Sequence, residues 1–192
     1  MATNSTEAGF LLPTAPEPVY DDPLDDVVHD LIAGVTGIPP THVRPRWQHR
    51  PPGRPSVNTE WCAFGVQNLE ADVDPYIINQ LANDEIQDVL VRTEIITYLL
   101  SFYGDQALHM ARRFKDGVCI QQNRQGLLTV GASLLECLQI TPVPALLNEQ
   151  WCKRMDLPVV LRRTITRTYP VRSLQSAEVQ ITTEELGVST NL

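Results

Sequence analysis

The sequence predicts an α+β fold: an antiparallel, twisted β-sheet with two or three helices packed on it. Three observations carry this expectation. Residues 86–102 and 151–169 are two long segments rich in β-branched, aromatic and alternating apolar residues. Residues 24–35 and 107–114 instead repeat apolar side chains at helical spacing. Gly and Pro separate these segments, so strands and helices follow one another without a repeating βαβ order.

Residues 1–20 mix Thr, Ser, Glu and Pro and read as an extended arm, with Phe10, Leu11 and Leu12 its one apolar spot. Asp22 is a good N-cap, Pro23 suits a first helical position, and Asp25 and Asp26 favour the positive end of the dipole. Leu24, Val27, Val28, Leu31, Ile32 and Val35 form one face, and Gly37 with Pro39-Pro40 ends the helix. Residues 39–57 hold six prolines and predict a stiff loop with little regular hydrogen bonding. A strand is expected over 59–69, and a long loop or hairpin excursion over 70–84. The 86–102 segment suits one long strand, with a helix competing for part of it. Tyr103-Gly104 breaks it, Asp105 can cap a second helix, and Gly117 ends that helix. A short helix over 124–131 and a strand over 132–140 follow. Within the second long strand, 151–169, Pro158 marks an edge position or a bulge. A short last strand is expected over 174–183. The chain divides into the arm (1–20), an α+β domain (21–184) and a short tail (185–192).

Of the 192 residues 43% are apolar, enough for a core. No apolar run approaches the length of a membrane span, and no basic segment precedes an apolar one at the N-terminus. Cys62, Cys119, Cys137 and Cys152 are widely spaced, as expected of buried thiols in a reducing compartment and not of a zinc ribbon. Nucleotide-binding, zinc-protease and serine-hydrolase motifs are missing from the sequence, so neither a catalytic residue nor a cofactor or metal site is assigned. His109 suits a helix surface or rim. Glu94 and Glu136 lie in strands and can be paired inside the sheet.

The net charge of −8 disfavours non-specific nucleic-acid binding. It is unevenly spread. No Lys or Arg precedes Arg44, whereas Glu7, Glu17, Asp21, Asp22, Asp25, Asp26 and Asp30 are acidic. Residues 44–55 carry Arg44, Arg46, Arg50 and Arg54 around Trp47, and 151–172 carry Arg154, Arg162, Arg163 and Arg167. Blocks of opposite sign can orient a chain against copies of itself. They can equally pair locally on a solvated surface. Trp47 among arginines also admits single-stranded nucleic acid as a ligand.

Several strings, taken in order, resemble one family. They are Thr36-Gly37-Ile38-Pro39 with Val43-Arg44-Pro45-Arg46-Trp47-Gln48, Glu60-Trp61-Cys62-Ala63-Phe64-Gly65-Val66, and Glu94 followed by Ser101-Phe102-Tyr103-Gly104-Asp105-Gln106-Ala107. Gln122-Asn123-Arg124, Pro144-Ala145-Leu146-Leu147-Asn148-Glu149-Gln150-Trp151 and Arg154-Met155-Asp156 continue the order. Arg162-Arg163 and Arg167-Thr168-Tyr169-Pro170 complete it. The chain from about Val28 to Glu184 is similar to the neck or tail terminator proteins of contractile-tailed bacteriophages. The resemblance implies a terminator-like fold and a virion structural role without catalysis or cofactor, in particles assembled in the host cytoplasm. It implies homo-oligomeric rings, usually hexamers, that cap the tail tube and sheath and meet head connector or collar proteins. Genome DNA would pass through the lumen without specific binding, and no membrane is involved. Arg44, Arg46, Trp47, Arg50, Arg54, Arg154, Arg162, Arg163 and Arg167 are then the candidate interface residues. A neighbouring gateway, head-completion or collar protein, and a small nucleic-acid-binding factor, are the alternatives.

Overall fold

A computed structural model describes residues 9–14, 22–50, 52–53, 55–82, 85–147 and 149–171. The expected strand at 174–183 lies outside them. Helix α1 (Asp22–Thr36) begins at Asp22 itself, one residue before the expected first turn. It buries Leu24, Val28, Leu31, Ile32 and Thr36. Gly37, at φ 77°, turns the chain out of the helix. The Thr36 carbonyl accepts a hydrogen bond from Arg113 (2.9 Å), so the second helix supplies a cation to the negative end of the first.

The segment expected to be loop throughout 39–57 contains a 3-10 turn (Pro40–His42) and a short strand, β1 (Val43–Pro45), that pairs parallel to β2 (Trp61–Ala71). Three ladder residues among prolines leave no periodicity to detect. The excursion after β2 is a hairpin: β3 (Tyr76–Ala82) returns into β4 (Glu85–Tyr103). Both β2 and β3 pair antiparallel to the same edge of β4, one after the other. At the interruption between them Asp72 exchanges two bonds with Thr93, N–H to carbonyl (3.1 Å) and carboxylate from N–H (3.0 Å).

Gly104, at φ 107°, turns β4 into α2 (Ala107–Gly117). Asp105 does not cap α2. The first turn is instead held by Glu60, whose Oε1 accepts the Gln106 N–H (2.8 Å), while Asp105 lies 4.0 Å from Lys153. A 3-10 turn and the short α3 (Gln125–Leu128) lead to β5 (Ala132–Cys137), which is bulged between Leu134 and Glu136 and ends earlier than expected. Then come β6 (Thr141–Pro142), a small hairpin of β7 (Ala145–Leu147) and β8 (Gln150–Cys152), and β9 (Arg154–Pro170). The expected 151–169 strand is thus divided at Lys153. Pro158 sits where β9 passes from its partner β5 to β6, so its missing N–H falls in a gap, and its carbonyl accepts from Leu138 (2.9 Å).

The sheet order is β1-β2-β4-β9-β5, with β3 also on β4 and β6 also on β9. Helices α1 and α2 cover one face of its middle. There Ile96, Tyr98, Leu100 and Phe102 of β4 and Leu157, Val159 and Leu161 of β9 meet Ile32, Ala111 and Phe114. The 19 residues of β4 span roughly 60 Å at about 3.3 Å each. The 15 and 11 residues of α1 and α2 reach only about 22 and 16 Å. The sheet therefore outruns its helices. Strand β3, the first half of β4 and the last third of β9 form an arm that carries no helix among the described residues, and the backbone of Thr14 bonds the β9 edge of that arm at Thr168 (2.8 Å).

Candidate assembly interface

Strand β4 presents its even-numbered residues from 94 to 102 to the helices and its odd-numbered residues to the opposite face. On that opposite face, at the end nearest α2, a chain of polar contacts is built. Arg154 makes a forked pair with Asp156 (both bonds 2.7 Å), Ser101 donates to the same carboxylate, and Arg46 donates to Ser101. Tyr103 lies beside it, stacked on Trp61 (centroids 4.1 Å apart, planes 6° apart), with the Arg154 guanidinium 5.7 Å from its ring centre. Hydrogen bonding to Asp156 raises the Arg154 pKa, and burial raises that of the Tyr103 phenol. Arg46 reaches Ser101 because Gly65 lies beneath it: a Cβ there would come within 3.3 Å of the Arg46 side chain.

Beside this network opens a cleft of about 290 Å³, floored by Trp61, Ala63 and Tyr103 and walled by Arg44, Arg46 and Trp47. Trp47 is 82% exposed. Arg44 braces the wall by donating to the carbonyls of Thr41 (3.3 Å) and Gly53 (2.8 Å).

The nine candidate interface residues therefore separate. Arg44, Arg46 and Trp47 line this cleft, Arg154 stands beside it against the ring of Tyr103, and Arg50 is exposed on the loop that walls it. Arg54 lies outside the described residues. Arg162, Arg163 and Arg167 lie eight to thirteen residues along β9 from Arg154, or roughly 26–43 Å away. Arg162 is exposed, Arg167 half-buried, and Arg163 is 2% exposed, on the helix face, where it pairs with Glu94 of β4 (2.8 Å). The arginines of β9 thus include one that closes the interior.

Sequence reasoning missed Trp61 and Tyr103 as partners of the arginines, since only the β2–β4 register brings them together. Over 70–84 it left a long loop and a hairpin excursion open, and the structure has the hairpin. The aromatic and β-branched run Tyr76-Ile77-Ile78 was the available signal. Among the cysteines, Cys62 and Cys152 are buried and Cys137 half-buried, with burial pushing the Cys62 thiol far up and that of Cys137 to about 11. Cys119, also expected in the core, is exposed just past α2, its thiol turned back to the Lys115 carbonyl (3.3 Å). His109 is exposed. Among the described residues no three His, Cys, Asp or Glu side chains come together in a way that could hold a metal ion. No described helix is long and apolar enough to cross a membrane.

No protein of curated function matches this chain. The family described as phage neck terminator protein matches it over residues 22–185, from the first turn of α1 to beyond the end of β9, and the chain belongs to that family of structural proteins of the phage virion.

Proposed function

We propose that copies of this chain form a ring at the phage neck, of hexameric size, that caps the tail tube and sheath and joins the tail to the head connector or collar. The observation that supports this reading most directly is the family match, which covers nearly the whole chain. The sheet adds to it. A protomer with an aromatic cleft at one end and an uncovered arm at the other has two different surfaces, as a head-to-tail ring requires. In this reading Arg46, Arg154 and Arg163 shape their own subunit, and Trp47, Arg50 and Arg162, whose side chains face solvent, are left for neighbours. The lumen conducts DNA without gripping it, consistent with a net charge of −8 and with arginines engaged inside the chain.

Electron microscopy of the virion tests the reading. The expected result is a ring of this polypeptide between capsid and tail; its absence from that junction overturns the proposal. In solution, Arg50→Glu leaves the monomer folded and weakens rings seen by size-exclusion chromatography with light scattering. Filter binding across a salt series should find only weak DNA affinity. A micromolar affinity lost steeply with salt would favour the nucleic-acid-binding alternative.

A further inference from the structure

The arm and the cleft differ in more than position. On the arm, Ile77 and Leu81 of β3 are opposite Leu90 and Ile86 of β4, which places all four on the face that carries the helices elsewhere. Ile77 is 54% and Leu81 72% exposed, and Leu69 extends the same apolar strip along β2. The loop between β2 and β3 borders this strip with the exposed acids Asp72 and Asp74, while the arginines of that end, Arg92 and Arg167, are half-buried. The cleft lies on the opposite face, at the opposite end, and is walled by Arg44 and Arg46, with exposed Arg50 on the loop between its lining residues Gln48 and Pro52.

The geometry points to a direct pairing of these two surfaces: the β3–β4 arm of one copy lies in the Trp47–Trp61 cleft of the next. This inference rests on the ring reading and names its contact. Charge selects the occupant. A symmetric contact of arm on arm would set Asp72 and Asp74 against their own copies, and cleft on cleft would oppose Arg44 and Arg50 to themselves. Arm on cleft buries an apolar strip on an aromatic floor and faces acids with bases. It also joins opposite faces at opposite ends of one sheet, so each copy can receive one neighbour and reach another.

The test uses two full-length variants whose changes lie at exposed positions. One carries Ile77→Asp with Leu81→Asp, the other Trp47→Asp, and circular dichroism verifies that each folds as the unsubstituted chain does. Each variant alone should remain monomeric under conditions where the unsubstituted chain assembles. Each retains one intact surface, so an equimolar mixture should give a one-to-one heterodimer and nothing larger by light scattering. A mixture that stays monomeric, or a variant that still assembles like the parent, overturns the arm-in-cleft contact and leaves the ring reading standing. Assembly intact with only tail attachment lost would assign the arm to another virion protein, and also overturns it. An unsubstituted chain that stays monomeric even at millimolar concentration overturns the contact and a self-assembling ring together.

Discussion

Glu94 and Arg163 face each other across β4 and β9, both nearly without solvent, at the place where helix cover ends and the arm begins. Taking one partner from a buried pair leaves a charge without compensation, which costs about 3–5 kcal/mol. Glu94→Ala should lower the free energy of unfolding by about that amount in urea, and Arg163→Met added to it should recover part of the loss. A loss under about 1 kcal/mol would show the site to be wet. His29 carries a pH-dependent contribution of opposite chemistry. Burial lowers its pKa, but its bond to the Pro40 carbonyl (2.9 Å) and its pairing with Asp30 (3.0 Å), aided by Asp26, raise it overall above 6.5. The folded state therefore holds the imidazolium proton more tightly than the unfolded chain. The gain is complete below the unfolded value and is lost as pH rises through the raised one. Thermal melts across neutral pH should show the parent losing more stability on alkalinisation than His29→Gln, by a small margin because the ring is partly solvated. Parallel curves would remove His29 from the account.

The turn from β4 into α2 shows how a helix start can depend on a remote strand. A Cβ on Gly104 would meet the Glu60 carboxylate at 2.6 Å, and the backbone there is at φ 107°. Gly104→Ala should cost about 1–3 kcal/mol from the backbone alone, and displacing Glu60 removes the Gln106 N–H partner as well. A melting temperature unchanged by this substitution would contradict that coupling. The same turn marks where the sequence is legible. Gly104 was recognisable as a break because glycine between a β-rich run and an amphipathic stretch has few other uses. The cap was not: Asp105 is the local candidate, but Glu60, 46 residues away, provides the acceptor. Both long strands and both main helices were legible because their apolar period runs for many residues. Strand β1 was hidden by its length and its prolines, and the breaks in the 151–169 segment by its continuous alternation. At the cleft, composition identified the basic block 44–55, but which arginines turn inward is decided by Gly65, Ser101 and Asp156 from three other segments.

A sheet longer than its helices divides the molecule into two regions of unequal stability. From Ile96 to Phe102, β4 is packed under α1 and α2 with strands on both edges. From Gln87 to Val91 it keeps both edges, but one face of this end carries exposed Ile77, Leu81 and Ile86 where helices stand elsewhere. Burial of apolar surface, more than the ladder bonds themselves, sets the free energy of opening, so the arm should open by local fluctuation while the covered half requires global unfolding. Hydrogen exchange read by mass spectrometry should find amides of 76–91 exchanging well before those of 96–102 in the monomer. If neighbours supply the missing cover, assembly should slow exchange in 76–91 and around Trp47 together and leave 96–102 nearly unchanged. Equal protection of the arm in monomer and assembly would mean that no neighbour rests on it. Slow exchange along the whole of β4 in the monomer would mean that the ladder is held by more than the helices provide, and that the arm is rigid before any partner arrives.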